Sequence, residues 1–142
     1  MLRLSDILQQ RDLFSVELSE SVAEVARKMA GLRIGAILVL EGGTLRGIFS
    51  ERDLMTRVVV EERDPAKTMV GDVMTSDLAT ADYAATVEEA VELMHRYKCR
   101  HLPVLSDGRV VGLVSMRDLT SVELEQRAEE IAHMRAYING AA

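Results

Sequence analysis

Two segments of the chain place a serine, an arginine and an aspartate at the same spacing, directly after an apolar stretch. The pattern Gly-x-x-Ser-x-Arg-Asp occurs at residues 47–53 and returns at residues 112–118. It predicts a strand that passes into a helix, and the free N–H groups at a helix start bind phosphate. A carboxylate one turn into that helix can accept both hydrogens of a ribose cis-diol. Because the arginine can contact phosphate oxygens or pair with an acid, the pattern indicates a nucleotide site.

The same residue types also have a purely structural interpretation. A serine followed three residues later by an aspartate is a favoured helix start, in which the hydroxyl caps an N–H group. The acid in the first turn is favoured by the positive end of the helix dipole. On the motif alone, ribose binding and simple helix capping both stay open for Ser50, Asp53, Ser115 and Asp118.

The repetition extends well beyond this motif. At a constant offset of 65 residues, Ser15 corresponds to Thr80. Upstream, Asp6 corresponds to Asp72, so a one-residue insertion or deletion lies before Ser15. A period this long indicates two copies of one small domain rather than a solenoid of short repeats. Two related copies pack naturally about a pseudo-two-fold axis, and this arrangement leaves two similar clefts between them.

Composition argues against several classes of protein. The 142 residues carry a net charge of −6, which argues against general binding to a nucleic-acid backbone. No apolar run of about 18 residues is present, so no membrane span is predicted, and the N-terminus lacks the apolar region of a secretory signal. Cys99 is the only cysteine and cannot form an internal disulfide, which predicts a cytoplasmic protein. Neither Cys99 nor the three histidines have the spacing of a metal site.

Each copy reads as β-α-β-β-α, which predicts an α/β (α+β) fold with the two copies related by a pseudo-two-fold axis. Ser21 and Thr86 each precede a helical apolar stripe and have a glutamate three residues later, so both are predicted helix caps. Gly31 is the predicted left-handed terminator of the first of these helices. Gly-Gly at 42–43 and Asp-Gly at 107–108 predict tight hairpin turns.

The remaining elements follow from the same patterns. The last helix of each copy is predicted to begin at the serine of the motif, and the first of these helices to run to about Val60. The nearly continuous apolar strands that precede them predict burial on both faces. Pro103 removes a ladder donor, which predicts an edge position or a strand irregularity. A C-terminal helix is predicted from Val122 to about Ile138.

The duplicated pattern resembles a tandem pair of cystathionine-β-synthase (CBS) domains of the stand-alone bacterial or archaeal type. The residues that carry the resemblance are Asp6-Ile7-Leu8, Asp72-Val73-Met74-Thr75, the helices from Val22 and Val87, Arg100-His101-Leu102-Pro103-Val104 and both serine-arginine-aspartate motifs. The resemblance extends from Ser5 to about Leu124. It divides the chain into a first CBS domain with its following loop at residues 1–65, a second at 66–124, and a C-terminal helix and tail at 125–142.

The resemblance implies that the clefts between the domains bind an adenine nucleotide, with AMP as the first choice and ADP, ATP or NAD as alternatives. Asp53 and Asp118 would then hold ribose hydroxyls, and Ser50 and Ser115 would contact ribose or the α-phosphate. The other implied site residues are Ser15, Val16, Thr80 and Ala81 facing adenine, Arg33, Gly35, Ala36, Cys99 and Pro103 in the cleft walls, Arg100 and His101 near phosphate, and, from the motifs themselves, Arg52 and Arg117.

The two copies are not equivalent in these residues. Where the second copy has Arg100 and His101, the first has Gly35 and Ala36, so two side chains suited to phosphate are missing. The first copy would have to use Arg33, or Arg57 in its last helix. We therefore expect one occupied site, or two sites with different ligands, rather than two equal ones.

The leading hypothesis is a regulatory module without enzymatic activity, because the chain shows no catalytic constellation and no metal or catalytic cofactor is predicted. Nucleotide binding would shift a conformational equilibrium and act on an unknown effector protein. A homodimer is expected, with Leu124, Ile131 and Ile138, seven residues apart, as an additional surface. The alternative is a protein-interaction or assembly module whose clefts are vestigial and empty.

Overall fold

The computed structural model describes residues 1–140, and each copy has the predicted β-α-β-β-α order. Ala141 and Ala142, at the end of the predicted tail, lie outside the described residues. The first copy contains β1 (Ser15–Glu17), α2 (Val22–Leu32), β2 (Ala36–Glu41), β3 (Thr44–Ser50) and α3 (Glu51–Asp53), which continues as a π-helix (Leu54–Val59). The second contains β4 (Ala81–Asp82), α4 (Val87–Tyr97), β5 (His101–Ser106), β6 (Arg109–Ser115) and α5 (Met116–Gly140). Two short helices precede the copies, α1 (Leu4–Leu8) before the first and a 3-10 turn (Val70–Asp72) before the second.

The two central helices start as predicted, but α2 ends later than Gly31. The Ser21 hydroxyl accepts a hydrogen bond from the Glu24 N–H at 3.2 Å, and Thr86 caps α4 in the same way. Gly31 lies inside α2, and the left-handed residue is Arg33 (φ 57°), so the predicted terminator was wrong. The Ile34 N–H donates to the Met29 carbonyl and Ile34 packs on the core. This Schellman ending, with an apolar residue after the left-handed one, sets the end of the helix.

Each copy folds its strands into one three-stranded sheet. The strand orders are β1-β2-β3 and β4-β5-β6, with the first pair parallel and the second antiparallel in both sheets. Residues 42–43 and 107–108 all have positive φ, which confirms the predicted hairpin turns. Pro103 lies in the central strand, paired with Leu113, and not at an edge. Its position is tolerated because the ladder with β4 begins one residue later, at Val104.

Each hydrophobic core is completed by the segment that precedes the other copy. Leu4 and Leu8 of α1 are buried among the residues of the second copy, and the Leu4 N–H donates to Ala85. Val70 and Val73, which lead into the second copy, are buried in the first core instead. A third cluster joins the two sheets, and its buried members Leu38, Leu40 and Ile48 pack against Val110 and Leu113.

The last helices differ strongly in length between the copies. The first ends at Val59, in agreement with the predicted limit near Val60, although most of it is a π-helix. The second is continuous from Met116 to Gly140, so the predicted C-terminal helix is an extension of α5 and not a separate element. Leu119 is the buried residue of α5, Met116 and Val122 also pack on the core, and the helix is largely exposed from Leu124 onward. Within the described residues, no helix is both long and apolar enough to cross a bilayer.

Gly47 provides a direct test of the contact between β3 and the segment before the second copy. A Cβ at this position would lie 2.6 Å from the Thr75 carbonyl oxygen, which accepts the Ile48 N–H. We expect Gly47→Ala to lower the free energy of unfolding by about 1–3 kcal/mol, because the backbone must move apart. Gly31→Ala is the control, since a Cβ inside α2 meets nothing within 4 Å and should add about 0.5–1 kcal/mol. Equal urea midpoints for the two variants would contradict the close approach.

Candidate functional site

Both repeats of the Gly-x-x-Ser-x-Arg-Asp motif form helix starts in which serine and aspartate cap each other. The Asp53 N–H donates to the Ser50 hydroxyl at 3.2 Å, and the Ser50 N–H donates to the Asp53 carboxylate at 3.0 Å. The Ser115 and Asp118 pair makes the corresponding bonds at 3.1 and 2.8 Å. Helix capping, the structural alternative for these residues, is therefore confirmed, and any ligand contact would be made in addition to it.

The Asp53 carboxylate is buried and already fully engaged. Only 6% of the residue is exposed, and its Oδ1 accepts a hydrogen bond from the Thr75 hydroxyl at 3.0 Å. Arg57 approaches the same oxygen at 3.7 Å and donates to the Met74 carbonyl at 2.7 Å. These contacts fasten the first copy to the segment that leads into the second. Asp53 and Arg57 therefore hold the two copies together in this structure.

The Asp118 carboxylate is more accessible and is held by an arginine. Arg11 donates from both terminal nitrogens, one to each carboxylate oxygen, at 3.0 Å each. Partial burial alone would raise the pKa of the Asp118 carboxyl. The hydrogen bond and charge of Arg11, with the Ser115 N–H, outweigh burial and lower the pKa. Asp118 is thus an ionised carboxylate whose partner, Arg11, is itself exposed.

His101 lies in the electrostatic field of both helix starts. Burial lowers the pKa of His101, and the negative charges of Asp118, Glu51 and Asp53 oppose this effect while Arg100 adds to it. The acids belong to both copies, so the starts of α3 and α5 are close enough to act on one side chain. His101 also pairs with Ser115 across β5 and β6. The predicted residues His101, Ser115 and Asp118 therefore form one cluster.

A groove of about 390 Å³ opens on the second copy beside this cluster. It is lined by Asp77, Leu78, Ala79, Thr80, Leu93, Tyr97 and Cys99. Thr80 and Cys99 were predicted to be site residues, and the other five were not. The Arg100 carbonyl, directly after Cys99, accepts the Met116 N–H at 2.8 Å, which links the groove wall to the start of α5. Burial raises the pKa of the Cys99 thiol, so this side chain acts as an apolar wall and not as a nucleophile.

The first copy has different side chains at the equivalent positions. At the offset of 65 residues, Phe14 stands for Ala79 and Lys28 for Leu93. Phe14 packs against the first core, and the Lys28 ammonium donates to the Ser15 carbonyl at 2.8 Å. That carbonyl belongs to the segment predicted to face adenine. In the first copy the Phe14 ring therefore fills space that is open in the second copy. The Lys28 ammonium occupies the Ser15 carbonyl, which a ligand would otherwise contact.

The other predicted site residues are not part of the groove lining. Val16, Ala36 and Pro103 are buried inside the fold. Gly35 lies beneath the Glu51 carboxylate, 3.6 Å from where a Cβ would stand. The exposed arginines of the prediction are Arg33, Arg52, Arg100 and Arg117. Of these, Arg100 is tied to the cluster through its effect on His101.

A second cavity, of about 380 Å³, includes Arg57, the arginine considered for the first-copy site. It is lined by Thr56, Arg57, Glu61, Arg63, Asp72 and Val73. Two arginines and two acids balance its charge, so it has no preference for an anion or a cation. Among residues 1–140, no group of three or more histidine, cysteine or acidic side chains could hold a metal ion.

The sequence matches the family model of the CBS domain twice, over residues 4–60 and 70–125. The mitochondrial CBS domain-containing protein CBSX3 of Arabidopsis thaliana is 32% identical over 126 residues, which cover 85% of this chain and 61% of that protein. The chain thus spans about three-fifths of that relative. The crystal structure of the CBS domain NE2398 is 33% identical with a TM-score of 0.81, covering 87% of this chain and 99% of that one. The CBS domain protein PAE2072 of Pyrobaculum aerophilum, solved in complex with AMP, is 28% identical with a TM-score of 0.74, covering 82% and 89%.

The burial of His101 predicts a loss of stability in mild acid. Because burial lowers the pKa of His101, the unfolded chain binds a proton more readily below its ordinary value of about 6.5. The free energy of unfolding should therefore fall as the pH drops below that value. His101→Gln removes this component, so the variant should lose less stability than the wild type between pH 7 and about pH 5.5.

The control is His133→Gln, since His133 lies on the exposed part of α5. Its urea-unfolding curves should show the wild-type dependence on pH. Parallel pH profiles for the wild type and His101→Gln would contradict the assignment.

Proposed function

The chain belongs to the CBS-domain family, as a tandem pair of these domains, and we propose that it is a non-enzymatic regulatory module that binds an adenine nucleotide in the groove of the second copy. The observation that carries the proposal is that the groove wall at Cys99 continues into Arg100, whose carbonyl is hydrogen-bonded to the start of α5, the helix that carries Asp118. AMP is the first candidate because PAE2072, a relative of similar fold, was solved in complex with AMP. ATP and NAD are larger alternatives.

The groove has the chemistry that an adenine ring requires. Leu78, Ala79 and Leu93 offer apolar surface, and Tyr97, which is 58% exposed, offers an aromatic face on which a base can stack. Thr80 lies in the segment just before β4, where backbone groups can read the polar edge of the base. A flat aromatic ligand with one polar edge therefore suits this wall better than a sugar or a peptide.

The groups that would hold ribose and phosphate lie at the start of α5. Asp118 is ionised and 23% of its side chain is exposed, so it can accept hydrogen bonds from a ribose cis-diol. Arg100 and Arg117 are both exposed and would supply positive charge for phosphate. Ser115 would remain the helix cap while the α5 start contacts the anion.

We propose that the second copy carries the principal site. In the first copy Phe14 and Lys28 stand where Ala79 and Leu93 open the groove, and Asp53 is buried. A ligand there would have to displace the Lys28 ammonium from the Ser15 carbonyl. It would also need to break the bond between Thr75 and Asp53, which supports the contact between the copies.

The proposed regulation is a shift between mutual arrangements of the two copies. The groove belongs to the second copy, whose core is completed by α1 from the start of the chain. A nucleotide that contacts the α5 start also meets Arg11 from the segment before β1, so it favours the arrangement in which that segment and the second copy both contact it.

We propose that the module forms a homodimer through the exposed part of α5. Leu124, Ile131 and Ile138 recur every seven residues, Met134 lies between them, and all are at least half exposed. Such spacing buries one stripe against a parallel partner helix. In that arrangement Glu130 of one chain would face Arg135 of the partner subunit, an attractive pair. A second copy of this chain therefore fits both the apolar stripe and its flanking charges.

The alternative function, a protein-interaction or assembly module with empty clefts, is favoured by one observation. Both motif aspartates already have protein partners, Thr75 for Asp53 and Arg11 for Asp118. If these contacts are permanent, α5 rather than the groove is the functional surface. Binding of AMP distinguishes the two functions.

Exchange of the groove residues tests the proposed site. Ala79→Phe combined with Leu93→Lys introduces the first-copy residues into the second groove, and should weaken AMP binding at least about tenfold because the phenyl ring fills the groove and lysine replaces an apolar wall residue. The reciprocal variant, Phe14→Ala with Lys28→Leu, should leave that site unchanged. Isothermal titration calorimetry with AMP measures both. Undiminished affinity in the first variant, or no heat with the wild type, would contradict the proposal.

The dimer is tested by charges placed on the α5 stripe. Leu124→Glu with Ile131→Glu sets like charges against each other at the proposed interface, so the protein should elute as a monomer in size-exclusion chromatography with light scattering. His133→Glu with Ala136→Glu adds the same charge on the opposite face of α5 and should remain dimeric. A monomeric wild type, or equal masses for both variants, would rule out this interface.

A further inference from the structure

Arg11 occupies the carboxylate that a ribose would need. Its two terminal nitrogens donate to Oδ1 and Oδ2 of Asp118, both at 3.0 Å, and the Ser115 N–H donates to Oδ2 at 2.8 Å. The ion pair spans 107 positions of the sequence and joins the segment before β1 to the start of α5. The Arg11 side chain is 43% exposed, so solvent and a ligand can both reach it. Arg11 thus lies beside the proposed site and is paired with the Asp118 carboxylate, the group proposed to bind ribose.

A ribose cis-diol and the Arg11 guanidinium compete for the same acceptor atoms. A diol donates one hydrogen bond to each carboxylate oxygen, which is the geometry that the bidentate arginine already uses. A ligand can therefore bind Asp118 only if Arg11 moves away. The charge-assisted bonds of Arg11 are then lost unless the guanidinium acquires another anionic partner. A nucleoside has no such group, whereas a nucleotide brings a phosphate.

The charges around the site make this replacement important. The charges of Asp118, Glu51 and Asp53 raise the pKa of His101 and that of Arg100 lowers it, so several acids lie near the site. A phosphate placed in this field without a further cation would be repelled. A guanidinium released from Asp118 supplies that cation at the place where the phosphate arrives. The first copy differs, because Asp53 is buried, accepts a hydrogen bond from the Thr75 hydroxyl and has Arg57 only at 3.7 Å, without a bidentate pair.

We infer that Arg11 is a specificity-determining residue which makes the site select phosphorylated adenosine over the uncharged nucleoside. This inference rests on the proposed adenine-nucleotide function. In the unliganded protein Arg11 closes Asp118 to ribose, and in the complex it pairs with the phosphate while Asp118 holds the sugar. Adenosine must displace Arg11 from Asp118 and has no anionic group with which the arginine could then pair. The phosphate of AMP pairs with the released arginine, and this additional ion pair makes the site bind AMP more tightly than adenosine.

The test compares the dissociation constants of AMP and adenosine, by calorimetry, for the wild type and Arg11→Gln. The wild type should bind AMP at least about tenfold more tightly than adenosine, as one charge-assisted contact requires. In Arg11→Gln adenosine should bind about two- to fivefold more tightly, since its competitor is gone, and AMP should bind more weakly. The ratio of the two constants should therefore fall towards one.

Arg46→Gln is the matched control. It breaks an ion pair with Glu41 of 2.8 Å on the first hairpin, removes the same charge and should keep the wild-type ratio. An unchanged ratio in Arg11→Gln, with AMP still bound, would overturn the role of Arg11 and leave the proposed function standing. Absence of binding of either ligand to all three proteins would overturn both. Thermal unfolding of the variants confirms that each is folded when its affinity is measured.

Discussion

The structure depends on an exchange of segments between the two copies. α1 completes the core of the second copy through Leu4 and Leu8, while Val70 and Val73 complete the first. The same backbone bonds are made in both places, since the Leu4 N–H donates to Ala85 and the Val70 N–H donates to Glu20. If one copy were alone, core residues that the exchanged segment now covers would be exposed to water. A unit of about 60 residues is only marginally stable, so it could not tolerate this exposure. The two copies therefore stabilise each other, and a change in their mutual arrangement reaches both cores.

The two sites differ although their backbones are alike, because a few side chains decide what each groove can accept. The sheets share strand order and register, and both helix starts are capped by the same pair of residue types. Phe14 and Lys28 occupy the first copy where Ala79 and Leu93 leave space in the second. Asp53 is committed to the contact between the copies, whereas Asp118 remains at the surface. In this division of roles, the first copy supplies structural support and the second supplies the groove.

Most of the fold could be predicted because its signals are local and occur twice. The caps at Ser21 and Thr86, the hairpin turns and the order of elements are all encoded within a few residues. The end of α2 was not, since a left-handed Arg33 carries none of the signal that glycine provides. Nor does the pattern of α1 indicate which core it will join. The groove residues Ala79 and Leu93 could have been found by comparing the copies at the 65-residue offset, but the Arg11–Asp118 pair could not, because no local pattern links such distant positions.

The position of Arg11 connects ligand binding to the exchanged segments. Arg11 lies shortly after the end of α1, and its N–H donates to the Leu8 carbonyl at 3.0 Å. Leu8 in turn lies against Gly112 of β6, where a Cβ would stand 2.8 Å from the leucine side chain, so α1 packs closely on β6. When a ligand draws the guanidinium away from Asp118, the segment between α1 and β1 loses its tie to the start of α5. The loss occurs next to α1, whose residues Leu4 and Leu8 are buried in the core of the second copy. When Arg11 exchanges Asp118 for the ligand phosphate, the change can therefore bias the mutual arrangement of the two CBS domains, as regulation by population shift requires.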